Sequence, residues 1–100
     1  MVSGESASSI SFLHTEGDML VFELRLVNLP ANGSLLRITD GENNILFEEK
    51  IKTETYHTVY KITRGDISKI NFEISGKKVF MNQAFEVRTR TEEKTEVTKA

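Results

Sequence analysis

The loop at residues 40–44 offers several side-chain oxygens within five positions, from Asp40, Glu42, Asn43 and Asn44. Carboxylate and amide oxygens of this kind are the ligands that Ca²⁺ prefers. However, the segment matches only a fragment of the Asp-x-Asp-x-Asp-Gly spacing of calcium loops, and Asp, Gly and Asn are also the residues that a hairpin turn requires. We therefore predict a hairpin turn here and assign no metal-binding residue.

Histidine could supply zinc ligands or a catalytic base, and the chain has two histidines, His14 and His57. Each lies in a predicted strand with polar neighbours, so a zinc site would require the two rings to meet across the fold with a carboxylate such as Glu16. Ser, His and Asp are all present, but no Gly-x-Ser-x-Gly element sets a nucleophile beside a base. We expect surface histidines, no catalytic residue, no cofactor and no enzymatic activity.

Two short motifs match recognition sequences, and turn chemistry explains both of them. Arg64-Gly65-Asp66 is the tripeptide that integrins bind, but a glycine between charged residues is also an ordinary break between strands. Asn32-Gly33-Ser34 has the form of a glycosylation sequon, and it lies in a predicted turn. We interpret each motif as a turn.

The charge balance gives little reason to expect a polyanionic partner. Thirteen Lys and Arg residues oppose fifteen Asp and Glu residues, for a net charge of −2. Five cations of the second half could form a mild basic patch if they shared one sheet face: Lys61, Lys77, Lys78, Arg88 and Arg90. Tyr60, Phe72 and Phe85 have inward parity, however, and so offer no stacking platform for bases. We expect a solvated face and no nucleic-acid partner.

Alternation of apolar and polar side chains with a period of two runs through most of the chain and predicts β-strands. It is clearest at residues 19–29, where Leu20, Phe22, Leu24 and Leu26 share one face. Similar strands are predicted near residues 35–39, 45–51, 56–62, 70–74 and 79–91, with a weak last strand at 96–98. The predicted core comprises Phe12, Leu20, Phe22, Leu24, Leu26, Leu36, Ile38, Ile45, Phe47, Tyr60, Ile62, Ile70, Phe72, Ile74, Phe85 and Val87.

These strands predict the fold class. No window of ten or more residues has the apolar spacing of an amphipathic helix, so any helix should be a single short turn near residues 64–68. Short strands separated by turns are typical of an antiparallel β-sandwich. We predict an all-β sandwich of about seven strands, immunoglobulin- or fibronectin-III-like, at residues 10–99 after a flexible lead-in at residues 1–9; a small barrel is the alternative. The chain has no Cys and no Trp, which excludes the Cys, Trp, Cys arrangement of antibody domains.

Several stretches resemble a known group of proteins: the strand at residues 19–29, the hairpin LLRITDGENNILFEE at residues 35–49, and the endings AFEVRTRT at 84–91 and EVTK at 96–99. Over residues 9–99 the chain resembles small secreted β-sandwich proteins of Bacteroidetes, especially those of Chitinophaga-like bacteria. The resemblance implies an exported protein, periplasmic or secreted, with its signal peptide removed, and implies no activity. More distantly, the hairpin with its Asp-Gly turn is similar to one in the C-terminal sorting domain of the type IX secretion system, whose Pro-Asn-Pro opening this chain lacks.

We therefore expect a non-enzymatic, exported structural or interaction module of the cell envelope that contacts an unknown protein or glycan. We expect no membrane insertion, because no apolar run approaches the roughly 20 residues that span a bilayer, and a monomer or a weak edge-strand dimer. The alternative is a carbohydrate-binding module in which Tyr56 or Phe80 stacks on a sugar ring. A small hydrolase is the third hypothesis, and it would require a cleft with paired carboxylates or a perturbed histidine.

Overall fold

Eight β-strands make up the regular structure of this computed structural model, which describes residues 8–77, 79–89 and 95–100. The strands are β1 (Ser9–Glu16), β2 (Met19–Leu26), β3 (Ser34–Asp40), β4 (Ile45–Ile51), β5 (Tyr56–Thr63), β6 (Lys69–Gly76), β7 (Val79–Thr89) and β8 (Thr95–Lys99). The described part of the chain contains no helix, and so no helix able to cross a membrane. The weak strand predicted at residues 96–98 is present as β8, and β1, which precedes the seven predicted strands, brings the number to eight. Most of the predicted lead-in, residues 1–7, lies outside the described residues.

The strands form two antiparallel sheets packed face to face. One sheet has the order β1-β2-β5, and the other has the order β4-β3-β6-β7-β8. Every neighbouring pair is antiparallel, and the pairings of the described residues leave the two sheets separate. The prediction of an all-β antiparallel sandwich is therefore confirmed, and the chain does not form the alternative barrel.

A layer of phenylalanine rings joins the two sheets. The ring centroid of Phe22 in β2 lies 5.0 Å from that of Phe72 in β6 and 5.0 Å from that of Phe85 in β7. Phe72 and Phe85 meet edge to face at 5.8 Å. Each such pair contributes about 0.5–1.5 kcal/mol beyond the burial of its area. The aliphatic side chains of the core around the rings are Ile10, Leu20, Leu24, Leu26, Leu29, Leu36, Ile38, Ile51, Ile70, Ile74 and Val87.

The core prediction is wrong at the start of β4, where Ile45 and Phe47 were expected inside. Ile38 of β3 pairs with Phe47, whereas the next residue, Thr39, pairs with Ile45, so Leu46 is the extra residue of a β-bulge. The extra residue reverses the alternation, because Ile45 joins Thr39 on the outer face and is 57% exposed. Phe47 still faces inward with Ile38, but it lies on an edge strand and remains partly exposed.

Smaller differences occur at the margins of the core. Phe12, Tyr60 and Ile62 were predicted inside, and they are only partly buried against its rim. The side chains that are buried but were not predicted in the core are Ile10, Val21, Leu29 and Ile51. Val21 is the instructive case, since it has outward parity but lies on β2, the central strand of its sheet, where strands flank it on both sides.

Removing one methylene from Ile38 and from Ile45 should distinguish their environments. We expect Ile38→Val to lower the free energy of unfolding by about 0.5–1.5 kcal/mol, because it removes buried atoms from a packed site. Ile45→Val should change it by less than about 0.5 kcal/mol, because that side chain is largely exposed. Urea unfolding followed by circular dichroism measures both values. Equal losses would show that Ile45 belongs to the core and that β4 has no bulge.

Candidate functional site

The edge strands β4 and β5 lie on the same side of the sandwich and leave an open cleft of about 290 Å³, which we call the β4–β5 cleft. Leu46 and Phe47 of β4 meet Tyr60 and Ile62 of β5, and Ile67 of the following loop completes the apolar wall. The rings of Phe47 and Tyr60 pack with their centroids 4.8 Å apart. Leu46, the bulge residue, is 38% exposed. Contiguous accessible apolar surface of this kind is typical of binding sites.

A cluster of two phenols and a carboxylate adjoins the β4–β5 cleft. The alternation of β5 puts Tyr56 and Tyr60 on its inner face, opposite Glu49 of β4. Both hydroxyl oxygens lie 3.1 Å from Glu49 Oε1 and 2.7 Å from each other, so the two phenol protons are shared among these three contacts. Burial raises the pKa of Tyr60, and its hydrogen bonds with Tyr56 and Glu49 raise that pKa further. Burial also raises the pKa of Tyr56, so both phenols keep their protons beyond the pH at which a free phenol ionises, and they tie the two sheets together at this edge.

Four side chains form a row across the outer face of the five-stranded sheet, and we call it the outer row. Leu35 of β3 pairs with Lys50 of β4 and with Ser75 of β6, and Ser75 pairs with Phe80 of β7. Because adjacent strands lie about 4.8 Å apart, the row spans about 14 Å. Phe80 is 66% exposed, more than any other large apolar side chain of the described residues. The outer row therefore presents an accessible aromatic ring.

The neighbouring row of the same face is polar, and its charges are paired. Arg37 Nε donates to Glu48 Oε2 at 2.8 Å, and Arg37 Nη1 lies 4.0 Å from Glu73 Oε1. Glu73 is paired across the strands with the exposed Asn82 of β7. The ring of Phe80 is thus bordered by side chains that can form hydrogen bonds.

A second cleft, of about 340 Å³, opens where β3 begins and where β4 and β6 end, and we call it the sheet-end cleft. Asn32, Ser34, Lys50, Lys52 and Ser75 contribute to its lining. Ser34 is only 6% exposed, and its Oγ makes no hydrogen bond to any described residue. A buried hydroxyl without a partner costs about 1–3 kcal/mol. The fold therefore retains this hydroxyl at a cost to stability.

The floor of the sheet-end cleft depends on two glycines. Gly33 takes a φ of 118°, and its N–H donates to Pro30 O at 3.1 Å, which closes the predicted turn. A Cβ at Gly76 would lie 3.2 Å from both Gly33 O and the Cβ of Ser34, so only glycine fits there without a shift. The segment Asn32-Gly33-Ser34, which has the form of a sequon, lies in a turn as predicted. Asn32 is exposed and Ser34 is buried.

The loop at residues 40–44, which was considered as a calcium site, is a hairpin turn. The carboxylate of Asp40 accepts hydrogen bonds from other residues of the same loop. Asp40 Oδ1 accepts hydrogen bonds from the N–H groups of Glu42 and Asn44 at 2.9 Å, and Oδ2 accepts one from Asn44 Nδ2 at 3.0 Å. The hydrogen bond from the Asn44 side chain lowers the pKa of Asp40. Among the described residues, no group of three His, Cys, Asp or Glu side chains is placed to hold a metal ion.

The two histidines share the outer face of the three-stranded sheet, but they do not meet. Their partners on β2 are four positions apart, which separates the rings by about 13 Å along the strand. His14 Nε2 is 3.3 Å from Glu16 Oε2, and His57 Nε2 is 2.7 Å from Glu23 Oε2. The hydrogen bond with His57 lowers the pKa of Glu23. The result is two separate surface pairs, and the structure does not assemble the zinc site that the sequence left open.

The tripeptide Arg64-Gly65-Asp66 forms a turn whose arginine points toward the protein. Ile67 N–H donates to Arg64 O at 2.9 Å, and Gly65 takes a φ of 48°. Arg64 Nη1 donates to Thr95 Oγ1 of β8 at 2.7 Å. Because this guanidinium is bound within the protein, the tripeptide is a structural turn, as interpreted from the sequence.

The cations considered as a basic patch do not share one face. Lys61 lies on the outer face of the three-stranded sheet and donates to a glutamate at 2.9 Å. Arg88 lies on the outer face of the other sheet and is paired across the strands with Glu96 of β8. Lys77 is in the turn after β6, and Lys78 and Arg90 lie outside the described residues.

Neither the β4–β5 cleft nor the sheet-end cleft was predicted from the sequence. Lys50, Ser34 and Ser75 come from the ends of three strands, and alternation assigns faces without showing which strands are neighbours. One usable signal was present, since Lys50 and Lys52 share a parity at the end of a predicted strand and must point to the same side.

Comparison with known proteins gives no family assignment. No family model matches the chain, and no curated protein and no solved structure matches it significantly.

Ultraviolet titration tests the tyrosine cluster directly, because Tyr56 and Tyr60 are the only tyrosines in the chain. In the folded protein, absorbance at 295 nm should stay flat through about pH 10, whereas in urea both phenols should ionise there. Since the unfolded chain releases its phenol protons first, this contribution to stability is fully present below about pH 10 and is lost as the pH rises above it. A normal ionisation step near pH 10 in the folded protein would contradict the buried cluster.

Proposed function

We propose that this chain is a non-enzymatic interaction module, exported to the envelope of a bacterial cell, that binds its partner by surface contact. The observation that carries the proposal is the β4–β5 cleft, in which Leu46, Phe47, Tyr60 and Ile62 form an apolar wall at an unpaired sheet edge. Proteins normally protect such edges against association. An apolar edge that remains open favours a partner that covers it.

The partner that fits this edge is an extended segment of another protein. β5 is an edge strand of eight residues that pairs with β2 without a register shift, so its free edge is regular and offers backbone groups to an added strand. The β1 and β4 edges, by contrast, carry bulges at Leu13 and Leu46, which disturb pairing. A strand added to β5 would place alternate side chains over the β4–β5 cleft.

The two charged pairs on the outer face of the three-stranded sheet do not have the surroundings of catalytic groups. Glu23 pairs with His57 and Glu16 pairs with Lys61 on an open, solvated sheet face. A catalytic acid or base is usually held in a cleft beside the reacting atoms, where burial and neighbouring charges adjust its pKa. The small-hydrolase hypothesis therefore gains no support from these pairs.

Carbohydrate binding is the second candidate, and the exposure of Phe80 favours it. Tyr56, the other ring considered for this role, is partly buried and hydrogen-bonded to Glu49. Phe80 presents its ring beside Ser75 and the amide of Asn82. An aromatic face can pack on the apolar side of a sugar ring while nearby polar groups bind its hydroxyls.

The strand order supports an immunoglobulin- or fibronectin-III-like topology, which is part of the proposal. β1, β2 and β5 share one sheet, as strands A, B and E do in that fold, and β3, β6 and β7 share the other, as strands C, F and G do. β4 then extends the second sheet beside β3, and β8 adds a strand beyond β7.

Export follows from the resemblance to secreted β-sandwich proteins, and fractionation of the source cells tests it. We expect an intact mass near 11.3 kDa in the periplasm or the medium. A larger exported species would show that the domain is an accessory unit of a longer protein. Recovery of the chain from the cytoplasm alone would refute export.

Lysine substitutions at the two bulges separate the β4–β5 cleft from the rest of the surface. Leu46 and Leu13 are 38% and 45% exposed, so Leu46→Lys and Leu13→Lys should both fold. A phage-displayed random peptide library should yield extended apolar peptides that shift the amide resonances of β4 and β5. We expect Leu46→Lys to weaken their binding about tenfold or more, because a central apolar contact is lost, and Leu13→Lys to leave it unchanged.

Two results would overturn this assignment. Selected peptides that shift resonances elsewhere, or that bind Leu46→Lys as tightly as the unmodified protein, would remove the cleft as the binding site. A concentration-dependent dimer in sedimentation velocity, lost in Leu46→Lys and kept in Leu13→Lys, would show that the partner is a second copy of the chain and not another protein.

A further inference from the structure

The sheet-end cleft combines positive charge with neutral polar groups. Lys50 and Lys52 both line it, and none of the described residues that line it is acidic. Lys77 follows the last residue of β6 beside it and is exposed. Asn32 and Ser75 add an amide and a hydroxyl to the same lining. This set of donors suits an anionic group that also offers hydrogen-bond acceptors.

The buried hydroxyl of Ser34 is a second, independent feature of this cleft. Ser34 lines the cleft, and its Oγ has no hydrogen-bond partner among the described residues. Buried polar groups in folded proteins are almost always paired. The Ser34 oxygen is buried on the inner side of the sheet, where Ser34 pairs with the buried Ile51, so it forms part of the floor of the cleft and is not itself exposed to a ligand.

The exposed ring of Phe80 lies in line with the cleft. Lys50 belongs to both the cleft and the outer row, whose other end is Phe80. The distance of about 14 Å between the two ends is greater than a single small anion can span. Leu35, between them, gives the row an apolar middle. A ligand that fills the whole row must have a charged end and an apolar ring face.

We propose that the sheet-end cleft and the outer row bind an anionic oligosaccharide, with a carboxylate or sulfate group between Lys50 and Lys52 and a sugar ring on Phe80. This inference deepens the carbohydrate-binding candidate and rests on it. Nucleic acid fits less well, because it needs several stacking rings and cations along its backbone, whereas the row offers one aromatic ring and has its lysines at one end.

The experiment follows amide resonances and affinity with four probes: trigalacturonic acid, sulfated galactotriose, neutral galactotriose and inorganic sulfate. We expect the anionic saccharides to shift the resonances of Ser34, Lys50, Lys52, Ser75 and Phe80. Neutral galactotriose should bind about tenfold more weakly or not at all, because it lacks the group that the lysines attract. Which anionic saccharide binds more tightly distinguishes a carboxylate ligand from a sulfate ligand. Added salt should weaken the binding of both.

Matched variants test the two ends of the row. Lys50→Gln with Lys52→Gln should weaken trigalacturonic acid binding about tenfold or more, and Phe80→Ala should weaken it by about tenfold. Lys69→Gln is the control for the lysines, because Lys69 lies on the same face at the other end of the sheet. Val59→Ala is the control for Phe80, because Val59 is an exposed apolar residue on the other sheet. Both controls should leave the affinity unchanged.

The outcomes separate this inference from the carbohydrate-binding candidate on which it rests and from the β4–β5 cleft. Equal binding of neutral and anionic galactotriose would overturn the anionic ligand and keep the carbohydrate candidate. If no saccharide binds, both the anionic ligand and the carbohydrate-binding candidate are refuted, and the proposal that the β4–β5 cleft binds an extended peptide is unaffected. If inorganic sulfate binds as tightly as the saccharides and Phe80→Ala has no effect, the cleft holds only a small anion. Tighter binding of a thymidine oligonucleotide than of either saccharide would replace the proposal with nucleic-acid binding.

Discussion

The contact of Phe22 with Phe72 and Phe85 is the interaction on which the other features depend. It joins the centre of the three-stranded sheet to the centre of the five-stranded sheet, with all three rings buried. Packed sheets lie about 10 Å apart, so one ring from each side fills the space between them. The middle of the sandwich is therefore filled by packed side chains and has no room for a ligand. Surfaces able to bind must lie where the packing ends, at the sheet edges and on the outer faces.

The sheet edges show how packing and binding requirements are divided. Leu13 and Leu46 are the extra residues of bulges in β1 and β4, and bulges make a strand edge a poor template for pairing. Tyr56 and Tyr60 then hold β5 against Glu49 of β4 by hydrogen bonds, and the ring of Tyr60 also packs on that of Phe47. This polar link joins the two sheets without filling the space beside it. The accessible apolar wall of the β4–β5 cleft is the consequence.

The sequence predicted the parts of the fold that depend on local alternation. Parity placed Phe22, Phe72 and Phe85 correctly inside, because each lies within an uninterrupted strand. The same rule was wrong for Ile45, since one extra residue at Leu46 reverses the parity of what precedes it and leaves no mark in the pattern. The candidate clefts could not be predicted, because they depend on which strands become neighbours, and alternation carries no information on strand order.

Strand β4 is the element that both proposed surfaces share. Its first half supplies Leu46 and Phe47 to the β4–β5 cleft, and its end leads to Lys50 and Lys52 of the sheet-end cleft. Because β4 is an edge strand, only β3 fixes its position by backbone pairing. Ligands that bind at both places therefore act on the same weakly held strand, and any effect of one on the affinity of the other must be reciprocal. The bulge at Leu46 and the two lysines thus lie on one strand, and a ligand at either cleft contacts that strand directly.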